Sequence, residues 1–302
     1  MSRRPLIAVL GPTACGKSAL ALDLARRFGL EIVNCDSRQI YREMEIGTAK
    51  PTPDERAAAP HHLYDLVTPD RRFSAGDYLR EATACCERLW ARGAVPLVTG
   101  GTGFYYDALT AGLPRESGDP ALQLRLQERL DVEGLSSLLS ELDRLDPAGA
   151  ATIDRQNPRR VLRALELVLA TGRSLAEIWQ RQGALEADLL CVSVTLERER
   201  LHARITARVD AMLAAGLADE AHELLRRYGA DAPGLQSIGY AEWAVPGASV
   251  AEIREAIIQH TRQYAKRQET WFRKRPGIPA DDLGHPQTPA RIRERIETFL
   301  GD

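Results

Sequence analysis

The segment Gly11-Pro12-Thr13-Ala14-Cys15-Gly16-Lys17-Ser18 lies between an apolar run, residues 6–10, and a segment with apolar residues at helical spacing, residues 19–28. The run predicts a buried parallel strand and the following segment predicts a helix. Together they match the P-loop pattern G-x-x-x-x-G-K-[ST]. In this pattern backbone N–H groups and the helix N-terminus bind an anion, Lys17 adds positive charge, and the Ser18 hydroxyl can ligate Mg²⁺. The segment therefore predicts a phosphate or diphosphate site, and taken alone it is typical of nucleotide binding, above all ATP binding.

Length and composition are those of an ordinary globular protein. The 302 residues, 44% hydrophobic and 27% charged, are enough for one large domain or two. A net charge of −2 argues against a global basic field for nucleic acid, although local basic patches remain compatible with it. The five cysteines form no C-x-x-C pair, which argues against a disulfide framework or zinc site and favours a reducing cytoplasm. The apolar run near the N-terminus is too short for a signal peptide or membrane span, so we expect no membrane association.

Two further apolar runs, residues 30–35 and 94–99, predict strands that complete a βαβαβ order. We therefore expect an α/β fold, a P-loop NTPase-like parallel sheet flanked by helices. Asp36 follows the second strand and Thr102 follows the third. Because the carboxyl ends of parallel strands share one edge of the sheet, both are expected beside Lys17. There Asp36 can act as a general base, or it can only cap the next turn.

The composition changes at residues 113–120, and the chain up to residue 187 has leucines at helical spacing and no strand-like run. We predict a catalytic core formed by residues 1–113 and 188–302, with an all-helical insertion domain over residues 114–187. Its helices are expected at residues 122–130, 135–145, 157–170 and 175–181.

Basic residues cluster where one of these helices begins. Arg159, Arg160 and Arg163 fall in its first turns, where the helix macrodipole disfavours cations. They therefore indicate an anionic partner, or else they pair with Glu166 or Asp154.

Two later helices also carry basic stripes. After a strand predicted at residues 188–195, Arg200, Arg204 and Arg208 recur every fourth residue, as in the phosphate-clamping helix of a P-loop transferase or on a solvated face. The helix predicted at residues 250–274 has a second basic face. With the arginines of the insertion, this face favours a nucleic-acid partner.

Three functions are compatible with this pattern: a small-molecule kinase, a transferase that holds a diphosphate leaving group, and a nucleotide-gated binding protein. No hydrophobic strand ends in a second, Walker-B-like aspartate, and the insertion is large for a simple lid, which argues against the kinase. No switch-loop signature supports the binding protein.

Six motifs occur in order along the chain: residues 11–18, Asp36-Ser37-Arg38-Gln39-Ile40-Tyr41, residues 46–51, Gly100-Gly101-Thr102, Ile238-Gly239-Tyr240, and residues 261–268 with 271–273. Together they resemble the bacterial tRNA dimethylallyltransferases, the isopentenyl-tRNA (IPP) transferase family, over nearly the whole chain. The resemblance implies transfer of a dimethylallyl group from dimethylallyl diphosphate to N6 of adenosine 37, next to the anticodon, in tRNAs that read codons beginning with U. It also implies Mg²⁺ and no ATP consumption. The related adenylate isopentenyltransferases, which use free nucleotide, are the alternative.

The resemblance also implies roles for individual residues. Lys17, Asp36 and Thr102 would be catalytic, with Asp36 as the general base. Residues 11–18 and Arg208 would bind the diphosphate, and Ser18 would hold Mg²⁺. Contacts with the tRNA anticodon stem-loop are implied for Asp36, Ser37, Arg38, Gln39, Thr102, Gln123, Gln156, Asn157, Pro158, Arg159, Arg160, Ser237, Ile238, Gly239 and Tyr240. Gln123 and Ala241 stand where the family has basic residues, and these departures concern the tRNA contacts. We expect a monomer.

Overall fold

The computed structural model describes residues 4–114, 119–275 and 280–301. The chain divides into two compact units, one formed by residues up to Leu109 and from Glu186 onwards, the other by Thr110–Leu185. Residues 115–118, which belong to the segment where the composition changes, lie outside the described residues.

The first unit is built on a parallel sheet. Its strands are β1 (Pro5–Leu10), β2 (Leu30–Asn34), β3 (His61–His62), β4 (Val95–Gly100), β7 (Asp188–Thr195) and β8 (Ala280–Asp282). They pair in the order β3-β2-β4-β1-β7-β8. Strand β1 is central, and its Ile7 pairs with Leu97 on one side and Leu190 on the other. The parallel α/β sheet predicted from the sequence is confirmed.

Helices flank this sheet, some of them directly against its strands and others packed on neighbouring helices. They are α1 (Lys17–Phe28), α2 (Pro53–Ala58), α3 (Ala75–Ala91), α4 (Gly103–Ala111), α10 (Arg198–Ala214), α11 (Leu217–Tyr228), α12 (Val250–Arg273) and α13 (Thr288–Gly301). The core combines Leu20 and Leu24 of α1 with Ile205 of α10 and Ile257 of α12. Among the described residues, no helix combines the length and the apolar character that crossing a membrane requires.

The second unit has its own helices and core. The helices are α5 (Pro120–Glu133), α6 (Leu135–Leu145), α7 (Pro147–Ala150), α8 (Pro158–Thr171) and α9 (Leu175–Ile178). Leu126, Leu138, Leu142 and Leu165 meet in the core.

One prediction for this unit is wrong in detail. The helix expected to reach residue 181 ends at Ile178, and β6 (Arg181–Gln182) pairs antiparallel with β5 (Leu113–Pro114). Paired segments of two residues are too short to show the alternation that reveals a strand in the sequence.

Candidate active site

The first unit contains a cavity of about 870 Å³, next to the loops that follow β1, β2 and β4. Lys17, Asp36 and Thr102 all line it. Open parallel sheets bind their ligands at this edge, which explains why residues so distant in sequence meet here. The predicted site residues that line the cavity are Thr13, Lys17, Ser18, Asp36, Ser37, Arg38, Gln39, Thr102, Arg208, Ser237, Ile238 and Gly239.

The P-loop has the conformation that its glycines predict. Gly16 precedes α1 with a φ of 107°, a left-handed value that an L side chain rarely adopts. Lys17 is buried, and its Nζ donates to the Pro12 carbonyl at 3.2 Å. Burial lowers the pKa of the Lys17 ammonium, so an anion in the cavity would stabilise the charged form. Burial raises the pKa of the Cys15 thiol, which disfavours the reactive thiolate.

Two arginines of α10 contact the P-loop. Arg204 Nη1 donates to the Cys15 carbonyl at 2.9 Å, and Arg208 Nη1 donates to Thr13 Oγ1 at 3.3 Å. Burial lowers the pKa of the Arg208 guanidinium, and Arg208 lines the cavity. The third member of the stripe, Arg200, donates instead to the Gly284 carbonyl at 3.2 Å. Two arginines of the stripe, Arg204 and Arg208, therefore contact the P-loop, whereas Arg200 has a structural contact.

Asp36 both caps a turn and lines the cavity. Its backbone N–H donates to Asn34 Oδ1 at 2.9 Å, and its Oδ1 accepts from the Arg38 N–H at 2.8 Å. The two functions considered for Asp36 are thus compatible, because the turn bond orients a carboxylate that still borders the ligand space. Thr102 fixes the same segment, since its Oγ1 accepts from the Ser37 N–H at 2.9 Å.

Gln268 is a site residue that the sequence analysis missed as such. Its buried side chain accepts from the Thr13 N–H and donates to the Gly101 carbonyl, both at 2.8 Å. It therefore ties the P-loop to the loop after β4. The available signal was a polar residue within the apolar stripe of α12, between Ala265 and Phe272.

Apolar side chains form another part of the cavity wall. They include Ile257, Trp271 and Phe272 of α12, Met212 of α10, and Phe104, whose side chain is 59% exposed. A cavity with one buried cation, Lys17, one half-buried cation, Arg208, and an apolar wall suits a small hydrocarbon group joined to an anion.

The residues at the P-loop are compatible with a phosphate-bound Mg²⁺ ion. Ser18 is exposed and lines the cavity. The described residues contain no group of three or more His, Cys, Asp or Glu that could hold a metal. Magnesium commonly takes one or two protein oxygens and completes its shell with phosphate oxygens and water. A diphosphate would thus have to supply most of the ligands.

The arginines at the start of α8 differ in their surroundings. Arg163 pairs with the buried Glu166 at 2.9 Å, and Gln123 Nε2 donates to the same carboxylate at 2.9 Å. Arg159 and Arg160 are exposed and make no ion pair with the described residues. Pairing with Glu166 thus explains the position of Arg163 but not the positions of Arg159 and Arg160.

Other predicted tRNA contacts near this helix serve its N-terminus. Asn157 caps it and accepts from the Arg160 N–H at 3.4 Å, Pro158 is the first helical residue, and Gln156 donates its N–H to Asp154.

The predicted segment 237–240 divides between cavity and core. Ser237, Ile238 and Gly239 line the cavity, whereas Tyr240 is fully buried. The Gly239 N–H donates to Glu242 Oε2 at 2.8 Å, a bond that closes the turn within this segment.

The chain is similar to known proteins over most of its length. The model of the family described as IPP transferase matches residues 39–275. A tRNA dimethylallyltransferase of Roseiflexus sp. (strain RS-1) is 44% identical over 297 residues, covering 95% of this chain and 97% of the relative. The structure of a tRNA isopentenylpyrophosphate transferase from Bacillus halodurans is 34% identical with a TM-score of 0.74, covering 99% of this chain and 97% of that one. A eukaryotic dimethylallyltransferase, crystallised acting on tRNA, is 28% identical with a TM-score of 0.84, covering 99% and 80%. The chain belongs to the IPP transferase family.

Proposed function

We propose that the chain transfers a dimethylallyl group from dimethylallyl diphosphate to N6 of adenosine 37 in tRNAs that read codons beginning with U, releasing diphosphate. Identity of 44% to a tRNA dimethylallyltransferase over most of both chains supports this activity. The observation that carries the mechanism is the placement of a carboxylate, Asp36, on the same cavity as the cationic P-loop.

The P-loop supplies a place for the departing diphosphate. Lys17 and Arg208 would bind it and neutralise the charge that grows on its oxygen as the C–O bond breaks. Lys17 is buried and Arg208 is half-buried, and the loss of hydration lowers the pKa of both, so an anionic ligand would stabilise their charged forms. Bound Mg²⁺, held by Ser18 and diphosphate oxygens, would add further positive charge.

Asp36 would accept the proton that N6 must lose. The lone pair of an adenine amine is delocalised into the ring, so its attack on carbon requires a base at the same time. The target base must leave its stack to enter the cavity, at a cost of about a few kcal/mol. Thr102 would hold the Asp36–Gln39 segment in place through its bond to Ser37.

The tRNA would be bound through both units. Arg38, Gln39 and residues 237–239 border the cavity of the first unit. In the second unit, the predicted insertion domain of residues 114–187, exposed Arg159 and Arg160 suit phosphate contacts. We propose that the enzyme works as a monomer in the cytoplasm, a setting that five free cysteines fit.

A labelling experiment tests the function. The protein is incubated with Mg²⁺ and labelled dimethylallyl diphosphate, together with either tRNA or AMP. Label in the tRNA at adenosine 37 is the expected result. Label in AMP alone would instead identify an adenylate isopentenyltransferase, and consumption of ATP with a small acceptor would identify a kinase.

A further inference from the structure

The carboxylate of Glu220, on α11, contacts two loops that contribute to the cavity wall. The first loop is residues 45–49 and the second is residues 237–240. Its Oε2 accepts from the Glu45 and Ile46 N–H groups at 3.1 and 3.0 Å, and its Oε1 accepts from the Gly47 N–H at 3.2 Å. The same Oε1 accepts from the Tyr240 hydroxyl at 2.6 Å. One side chain outside the cavity lining thus fixes three successive N–H groups and the end of the second loop. Bonds to an ionised acceptor are about twice as strong as neutral ones.

The first of these loops needs such an anchor. Ala49 has a φ of 48°, in the left-handed region that costs a non-glycine residue about 1 kcal/mol or more. The neighbouring Lys50 is buried and pairs with Glu45 at 2.6 Å and with Asp65. A strained turn persists when surrounding contacts over-determine it, and Glu220 supplies contacts on the side of α11.

The anchored loop in turn orients Gln39. Gln39 Nε2 donates to the carbonyls of Thr48 and Ala49 at 3.1 and 2.9 Å. Both partners are acceptors, so they fix which end of the amide is nitrogen. Gln39 lines the cavity, and its carbonyl oxygen is the end of the amide left to accept a bond from a ligand.

We propose that Glu220 is a positioning residue that acts on RNA through Gln39. By holding the loop at Glu45–Ala49, it keeps the Gln39 oxygen aimed to accept a hydrogen bond from an N–H donor of the bound RNA bases. The proposal rests on the proposed function, because it takes RNA as the ligand. Diphosphate binding is independent of this chain of contacts, since Lys17 belongs to the P-loop itself and Arg208 and Gln268 contact that loop from α10 and α12.

A double-mutant cycle tests the proposal, using Glu220→Ala, Gln39→Ala and both together. Affinity for an anticodon stem-loop RNA and KM and kcat for both substrates are measured. Each single change is expected to weaken RNA binding about tenfold, the worth of one good hydrogen bond to a ligand. The double variant should lose no more than either single one. KM for dimethylallyl diphosphate should stay within about twofold, because the P-loop contacts persist.

The control is Glu223→Ala, on the same helix, where Glu223 pairs with Arg226 on the surface. It should leave RNA binding unchanged. If Glu220→Ala does not fold, Glu220→Gln replaces it in the cycle, since it keeps the shape of the side chain while the charge is lost and the amide nitrogen cannot accept from the loop N–H groups. Additive losses, or RNA binding unaffected by Glu220→Ala or Glu220→Gln, would overturn the proposal. If the wild-type chain transfers no label to RNA, the proposed function itself is overturned. The kcat of the wild-type chain, measured in the same cycle, shows this separately from any effect of the variants.

Discussion

The carboxylate of Asp36 is held by a turn bond that an amide can also make. In Asp36→Asn the side-chain oxygen can still accept from the Arg38 N–H, so the loop should keep its shape while the base is lost. We expect kcat for prenyl transfer to fall by about 10³-fold. Binding of dimethylallyl diphosphate should be retained or tightened, because a negative charge near Lys17 and Arg208 is removed. Single-turnover kinetics with labelled substrate and calorimetric binding of the diphosphate measure the two effects, and full turnover would exclude Asp36 as the base.

Lys17 shows that the site is arranged for binding rather than for stability. Burial lowers the pKa of its ammonium from the ordinary 10.5, so the unfolded chain binds more protons between the two pKa values. Stability of the ligand-free protein should therefore gain a contribution from Lys17 as pH rises through that window. Lys17→Met should stabilise the ligand-free protein at pH 7 by about 1 kcal/mol and abolish stabilisation by diphosphate. Urea unfolding of both proteins at pH 7 and pH 10 isolates the contribution of the Lys17 ammonium to the free energy of unfolding. A destabilised variant that still responds to diphosphate would contradict this explanation.

Helix α12 forms one wall of the cavity, and its position depends on a close approach at α4. A Cβ on Gly103 would lie 2.3 Å from the Trp271 ring, a distance that real side chains do not tolerate. Gly103→Ala should displace Trp271 and with it the neighbouring Gln268 bridge to the P-loop. We expect kcat/KM to fall by about tenfold or more, with the loss of stability of about 1–3 kcal/mol that overpacking brings.

Gly76→Ala, in the first turn of α3, is the matched control for this glycine. A Cβ there would meet nothing closer than Ser74 Oγ at 3.5 Å. That variant should be fully active and slightly more stable. Activity and thermal unfolding of the two variants are compared, and equal activities would exclude the packing argument.

Elements with a strong period or cap could be predicted from the sequence. Strand β7 and helix α6 lie where the pattern put them, and α3 begins directly after Ser74, a residue type that favours the N-cap position. The period was less informative for α11, which the sequence analysis omitted: its buried stripe is Leu217, Ala221 and Leu224 on an otherwise charged helix.

Residues of the site divide in the same way. Lys17 and Asp36 follow strands, and strand ends converge by topology, so their meeting was predictable. Gln268 and Glu220 accept from or donate to backbone groups 167 to 255 residues away in sequence, and such a partner leaves no local pattern. The sequence could indicate only that Gln268 interrupts an apolar stripe.

For the whole molecule, the net charge does not indicate where the RNA would be bound, because the relevant positive charges are local. The chain carries −2 overall, yet Arg159 and Arg160 are exposed at the N-terminus of α8, where the helix dipole opposes them. If both neutralise phosphates, Arg159→Ala with Arg160→Ala should weaken tRNA binding and lower its logarithmic salt slope by about two, one for each contact. Diphosphate binding should not change.

The control for this charge experiment is Arg155→Ala, in the same unit. Its guanidinium is already paired with both oxygens of Asp143, at 2.6 and 2.7 Å, so the change removes one positive charge but not a side chain that is available to a phosphate. Titrations between about 50 and 200 mM salt cover the range in which counterion release dominates. An unchanged slope in the double variant would remove α8 from the RNA interface. The salt slope of tRNA binding could also fall as much in the Arg155→Ala variant as in the double variant. That result would indicate that the charges of the whole unit attract the RNA diffusely, rather than through two phosphate contacts.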